Sequence, residues 1–144
     1  MDKFIEIFGC NSLTNFDIYD IVKELRIPKF RGVFMRDTLP GRPMKNECGI
    51  MNFNTSNQSG SHWVCWYKEG NERIYFDSFG CITPDELQRY LKSKREYKDK
   101  ILCIQRNTDQ VQQPITQICG QLCLYVLKNL SDGKQFQDII YTLK

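Results

Sequence analysis

Two strand-like runs joined by a short polar turn constrain this chain more than any other stretch. Ser61-His62-Trp63-Val64-Cys65-Trp66-Tyr67 and Arg73-Ile74-Tyr75-Phe76-Asp77-Ser78-Phe79 are rich in aromatic and β-branched residues, and Lys68-Glu69-Gly70-Asn71-Glu72 lies between them. Gly70-Asn71 suits a two-residue hairpin, whose tip needs backbone that glycine and asparagine adopt readily. With those two at the tip, Glu69 faces Glu72, Tyr67 faces Ile74, Val64 faces Asp77 and His62 faces Phe79. Paired side chains share a face, and faces alternate with period two. His62, Val64, Tyr75, Asp77 and Phe79 therefore point to one side of the sheet. His62 and Asp77 become diagonal neighbours, ~7–8 Å apart at the backbone and within reach of each other's side chains. A slip of one residue would put them on opposite faces.

The rest of the chain supplies helices and a few more strands. Thr14-Asn15-Phe16-Asp17 has the form of a capping box, and Ile18, Ile21, Val22 and Leu25 follow at helical spacing until Pro28 ends the run. A helix over 15–26 is expected. Phe30, Val33, Phe34 and Met35 form a short apolar run before a loop over 37–43, and Cys48 to Asn54 alternates like a strand. Thr83-Pro84-Asp85-Glu86 predicts a helix start with Thr83 as N-cap. Its apolar face is Leu87, Tyr90 and Leu91, and its charged end, 92–100, reads as solvated surface. Residues 101–104 are a short strand candidate and 107–113 a polar loop. From Cys119 the apolar stripe Cys119, Leu122, Cys123, Val126, Leu127, Leu130 marks a buried helix, with Thr116 as its expected N-cap. Phe136, Ile139, Ile140 and Leu143 make a last amphipathic helix after the break at Ser131-Asp132-Gly133. The order gives an α+β fold: helices packed on a mostly antiparallel sheet.

Composition bounds the function classes. At 144 residues, 41% hydrophobic and 26% charged, the chain suits one globular domain over 1–144. A net charge of +3 is too small to argue nucleic-acid binding, though compatible with weak DNA binding. Seven irregularly spaced cysteines and no signal-like run after Met1 point to a reducing, intracellular compartment. No stretch reaches the ~18 apolar residues of a membrane span, so no membrane partner is expected. A zinc site fails on spacing: there is no CxxC pair and a single histidine, so no metal is expected.

Cys119 is the residue with chemical potential. In the first turn of a helix the partial positive charge favours thiolate over thiol. It reads either as a nucleophile or as a buried structural cysteine. A Cys–His enzyme here must use His62, which takes the thiol proton and later protonates the leaving amine. The hairpin register offers Asp77 as the group that holds the imidazole. An attacked amide forms an oxyanion that needs donors. Gln113, on the loop stiffened by Pro114, is a suitable one, with Gln112 and Gln117 as competitors that spacing leaves open. Gly120 would let a substrate approach the backbone. Cys65, Cys103, Cys48, Cys81 and Cys123 read as strand, loop-flanking or core residues.

His62-Trp63, then Tyr75-Phe76-Asp77-Ser78-Phe79-Gly80, then Gln113 through Cys119-Gly120 resemble, in that order, the motifs of the adenain family. These are the adenovirus-type cysteine proteases, related to the proteases that process SUMO-like proteins. Gly32-Val33-Phe34, Asp37, Leu39-Pro40 and Cys48-Gly49-Ile50-Met51-Asn52 look most like the short adenain-like proteases of Polinton/Maverick elements and related small DNA viruses. The resemblance runs over roughly residues 12–130. It implies a papain-like core with the nucleophile on a buried helix against the sheet that bears histidine and aspartate. It implies His62 as general base, Asp77 as its orienting group, Cys119 as nucleophile, and Gln113 with the Cys119 N–H as the oxyanion hole.

It also implies a monomeric thiol endopeptidase, a hydrolase, that cuts viral or transposon-encoded capsid or core precursor proteins during virion maturation. Such an enzyme would work in the host nucleus or cytoplasm and in the virion. A deubiquitinase or SUMO-type deconjugating protease is the alternative on the same chemistry, and a non-catalytic module that keeps the fold is the third reading. No cofactor is required for the chemistry. Adenain is activated by a viral peptide, which can link through a cysteine, and by DNA. Cys10 and the mild positive charge leave room for an activating peptide or DNA here.

Overall fold

The computed structural model describes residues 2–57, 62–92, 103–113 and 116–144. Its elements in chain order are α1 (Asp2–Phe8), α2 (Asn15–Leu25), β1 (Phe30–Phe34), β2 (Glu47–Asn52), β3 (Trp63–Glu69), β4 (Glu72–Phe76), α3 (Asp85–Leu91), β5 (Gln105–Arg106), α4 (Cys119–Ser131) and α5 (Phe136–Leu143). The strands lie in the order β1-β2-β3-β4-β5. The long central ladders, β2 with β3 and β3 with β4, are antiparallel, and the short outer ones are parallel.

The hairpin forms in the expected register. Glu69 pairs with Glu72 and Tyr67 with Ile74, and the β3–β4 ladder runs on to Cys65 opposite Phe76. Gly70 takes a φ of 59°, which a two-residue hairpin tip requires and glycine supplies without strain. Both strands are shorter than the runs that signalled them: β3 begins after His62 and β4 ends before Asp77. His62 and Asp77 thus stand just beyond the paired region, at one end of the sheet.

Period-two alternation divides the sheet residues between two cores. Cys48, Ile50, Cys65, Ile74 and Phe76 pack with Ile18, Ile21 and Val22 of α2, with Leu122, Leu124, Val126 and Leu127 of α4, and with Phe136, Ile139 and Ile140 of α5. Met51, Val64, Trp66 and Tyr75 pack with Leu87, Tyr90 and Leu91 of α3 on the other face. The fold is three-layered, with α4 the most deeply buried helix. Beneath Trp66, the carboxylate of Glu47 is buried and accepts from Trp66 Nε1 (2.9 Å), Arg31 Nη1 (3.0 Å), the Met44 N–H (2.5 Å) and the Tyr90 hydroxyl.

Several local expectations are corrected. The capping box at Thr14 forms as read, with both reciprocal bonds present. Thr83 does not cap α3. The helix starts one residue later, behind Pro84, with no side-chain cap. Thr116 does not cap α4 either: its hydroxyl and its N–H both turn back to the Gln113 carbonyl (2.8 and 3.1 Å), and Ile118 takes the N-cap position. A threonine hydroxyl can bond nearby backbone in non-helical geometry, and here that competing bond wins. The strand expected at 101–104 falls partly outside the described residues, and the parallel edge strand β5 lies just after it. Helix α1 was not legible, because charges interrupt its apolar residues. Among the described residues no helix is long and apolar enough to cross a membrane.

Candidate active site

Cys119 is the first residue of α4, where the helix's positive end is concentrated. The helix meets the sheet at the start of β3. There the Trp63 N–H donates to Cys119 Sγ at 3.4 Å, and the Cys123 thiol, one turn on, donates to the Trp63 carbonyl at 3.4 Å. Trp63 is itself pinned, its indole Nε1 donating to the Leu13 carbonyl at 3.0 Å. Gly120 is needed at this junction. A Cβ there would lie 3.1 Å from Leu13 Cδ1 and 3.2 Å from Trp63 Cδ1. The space above Gly120 is therefore filled by the protein's own side chains, which corrects the expectation that it serves the approach of a substrate.

His62 Nε2 lies 2.7 Å from Asp77 Oδ1. The His62 ring and the Cys119 thiol also act on each other's charge, the imidazole favouring thiolate and the sulfur favouring imidazolium. With Nε2 on the carboxylate, Nδ1 is the ring nitrogen that remains to serve the sulfur. The imidazole stacks on Phe79 (4.7 Å between centroids, 27°) and has Phe53 tilted against it at 6.2 Å. Only 14% of the His62 side chain and 1% of the Asp77 side chain remain exposed, so bulk water does little to screen the pair.

This environment sets the charges. Burial by itself would push the His62 imidazolium down. The hydrogen bonds to Asp77 and Cys119 and their negative charges outweigh it and carry the ring up to about 9. For Cys119, burial opposes the thiolate, but the His62 contact and the Trp63 and Gly120 N–H groups pull the thiol below its usual value of 9.0. Cys48 shows the contrast: buried without a basic partner, its thiol is pushed up to about 12. Burial likewise raises Cys123. Of these buried cysteines, Cys119 has the electrostatics of a nucleophile and the other two those of core residues.

Asp77 closes a tight turn at the end of β4. Its Oδ1 accepts the Phe79 N–H (2.9 Å) and its carbonyl accepts the Gly80 N–H (2.8 Å), with Gly80 at φ 71°. The loop after β5 then packs onto this turn. The Asn107 side-chain amide spans the Asp77 backbone, and the Ser78 carbonyl takes the Val111 and Gln112 N–H groups.

The three glutamines near α4 separate by environment. Gln112 is buried, with its Oε1 accepting from the Ser78 hydroxyl (2.5 Å) and its Nε2 donating to the Thr116 carbonyl (2.8 Å). It ties the loop to the turn of Asp77 and has no amide group left over. Gln113 and Gln117 are exposed. The hairpin register placed Phe79 beside His62, as found; sequence reasoning missed Asn107, the second aromatic wall Phe53 and the Leu13–Trp63 contact. An asparagine in a polar loop carries no pattern that would single it out.

A thiol at a helix start and an imidazole held by a carboxylate at a sheet end are the groups that thiolate–imidazolium chemistry requires. The crystal structure of the ASFV pS273R protease superposes with a TM-score of 0.63 over 93% of this chain and 62% of that one, at 18% identity. A selenomethionine crystal of the same protease gives 0.61 over 92% and 62%. In sequence the chain is 28% identical over 127 residues to the protease of Porcine adenovirus A serotype 3, covering 79% of this chain and 62% of that one. It is also 28% identical over 131 residues to the protease of Human adenovirus B serotype 3, covering 81% and 62%. No family model matches. In sequence the chain is thus similar to adenovirus proteases, and in fold to the pS273R protease. It spans less than two thirds of the length of each relative.

Proposed function

We propose that the chain is a cysteine endopeptidase that cuts structural precursor proteins of a virus or virus-like element. The observation that carries this reading is one imidazole held by Asp77 Oδ1 at 2.7 Å, whose charge lowers the Cys119 thiol at a helix start. The likeness to adenovirus proteases supports the viral setting, with precursors as substrates and an intracellular and virion location.

In this mechanism Cys119 and His62 rest as thiolate and imidazolium. The sulfur attacks the scissile carbonyl carbon, and the carbonyl π electrons move to oxygen. The oxyanion is met by the Cys119 N–H at the helix start and by the exposed Gln113 amide, which acts as the second donor. His62 gives its proton to the leaving amine as the tetrahedral centre collapses to a thioester. The now neutral ring takes a proton from water as the hydroxide attacks the thioester, and collapse of that second tetrahedral centre expels the Cys119 thiolate beside the imidazolium, while the carboxylic acid product gives its proton to solvent. Asp77 stays ionised throughout and holds the ring.

The test is cleavage of a capsid or core precursor by purified protein. Wild type should cut it, and Cys119→Ala and His62→Ala should fold normally and lose at least about 10³-fold in rate. Full activity of Cys119→Ala overturns the proposal. Rapid labelling of Cys119 by ubiquitin-like C-terminal electrophiles, with precursors left uncut, would move the reading to deconjugation.

A further inference from the structure

Asp77 aims the catalytic imidazole, yet the parts of the fold that should aim Asp77 are incomplete. It lies one residue past β4, so no regular ladder rung holds its backbone. The neighbouring strand β5 has two residues, pairs Gln105 with Ile74 and Arg106 with Tyr75, and then stops. Among the described residues the carboxylate is held only through Oδ1, by His62 and its own Phe79 N–H; the buried Oδ2 has no hydrogen-bond partner.

The next residue after β5 is Asn107, 5% exposed. Its Oδ1 accepts the Asp77 N–H at 3.1 Å, and its Nδ2 donates to the Asp77 carbonyl at 2.6 Å and to the Asp109 carbonyl at 3.2 Å. A primary amide is the side chain that offers a donor and an acceptor side by side, in the pattern of a peptide group. Asn107 supplies the missing rung of the sheet from its side chain, and that rung falls on the residue whose carboxylate orients His62.

We propose that Asn107 is a positioning residue that fixes Asp77, and through it His62 and the Cys119 thiolate. The proposal rests on the reading of those three as the reacting set. Asparagine fits the position where its relatives do not. Aspartate keeps the acceptor but sets a second carboxylate against the Asp77 carbonyl. Leucine keeps the volume and removes both bonds.

The experiment measures the rate of Cys119 alkylation by iodoacetamide against pH, together with precursor cleavage and melting temperature. The proteins are wild type, Asn107→Asp, Asn107→Leu, Asn107→Ser, Asp77→Ala and the double variant Asn107→Leu/Asp77→Ala. Cleavage by the Asn107 variants should fall about 10–100-fold. Their alkylation midpoint should rise toward the ordinary thiol value, because a misplaced Asp77 supports the imidazolium less and the imidazolium supports the thiolate less. Asn107→Ser retains a small polar side chain and keeps the test available if the other two fold poorly. In the Asp77→Ala background, Asn107→Leu should cost less than about twofold more, since the residue it positions is gone.

Wild-type cleavage and midpoint in folded Asn107 variants, beside a crippled Asp77→Ala, overturn the assignment to Asn107 alone. Multiplying losses in the double variant also overturn it, because they mark an independent structural role. An Asp77→Ala variant indistinguishable from wild type overturns the triad reading, and this proposal with it.

Discussion

Replacing Asp77 with alanine should narrow the pH profile from both sides. In the wild-type site the lift of His62 from 6.5 to about 9 corresponds to about 3 kcal/mol in favour of the charged ring, before screening at its exposed edge lowers the figure. Burial opposes that lift, and the Asp77 hydrogen bond heads the contributions that overcome it. A buried opposite charge at hydrogen-bond distance typically moves a titration by about 1–3 pH units. Without Asp77 the basic limb of kcat/KM should therefore fall from about 9 by at least about one unit. The acidic limb should rise, since the thiolate loses part of its imidazolium partner. At pH 7.5 the ring would go from almost fully charged to between about three-quarters charged, for a fall of about one unit, and almost wholly neutral, for a fall of about three. Disordered geometry adds to that loss, for a total of about 10²–10⁴ in kcat/KM.

Stability is the wrong assay for this effect. The raised imidazole contributes stability that is full below 6.5 and is lost as pH climbs through about 9. The lowered thiol contributes stability that is full above 9.0 and is lost as pH falls through its folded value. The two trends oppose each other across the upper window, so melting curves against pH will be flatter than either alone. The assay is kcat/KM on a fluorogenic peptide from pH 5 to 10. Limbs that stay within a few tenths of a unit of wild type in Asp77→Ala would refute the reasoning.

Other substitutions probe separate parts of the account. Glu47→Ala strips the partner from Trp66 Nε1, Tyr90 OH and Arg31 at once, and should destabilise by about 3–5 kcal/mol in urea unfolding. Gly49→Ala would drive a methyl group into the indole ring of the fully buried Trp66; a loss of about 1–3 kcal/mol or more is expected by the same measurement. Gln113→Ala should reduce kcat about 10²–10³-fold with the melting temperature unchanged. Gln112→Ala should instead lower stability by about 1–3 kcal/mol, because it leaves the buried Ser78 hydroxyl unpartnered.

Much of the site was legible because one short-range signal fixed a long-range geometry. The Gly70-Asn71 tip set the β3–β4 register, and the register put His62 and Asp77 on one side. The stripe from Cys119 to Leu130 marked α4 as buried, which the structure bears out at Leu122, Cys123, Val126 and Leu127. Helix starts were harder. Thr83 and Thr116 have the chemistry of N-caps, but neither caps a helix: Thr116 bonds the nearby Gln113 carbonyl instead, and α3 starts one residue later, behind Pro84. Gly120 was assigned to substrate because Leu13, which occupies the space above it, lies more than a hundred residues earlier. Asn107 and Gln112 act through side-chain bonds to Asp77 and Ser78, which lie 30 and 34 residues earlier in the chain. Contacts of that kind leave no periodicity in a sequence.

The central claim is that His62 activates Cys119. Its most direct measurement is the pH dependence of iodoacetamide alkylation at each cysteine, read by mass spectrometry of native protein. Cys119 should react with a midpoint clearly below 9, ahead of the buried Cys48 and Cys123, and His62→Ala should raise that midpoint. A Cys119 that titrates like an ordinary thiol, or whose midpoint is unmoved by His62→Ala, would contradict the account.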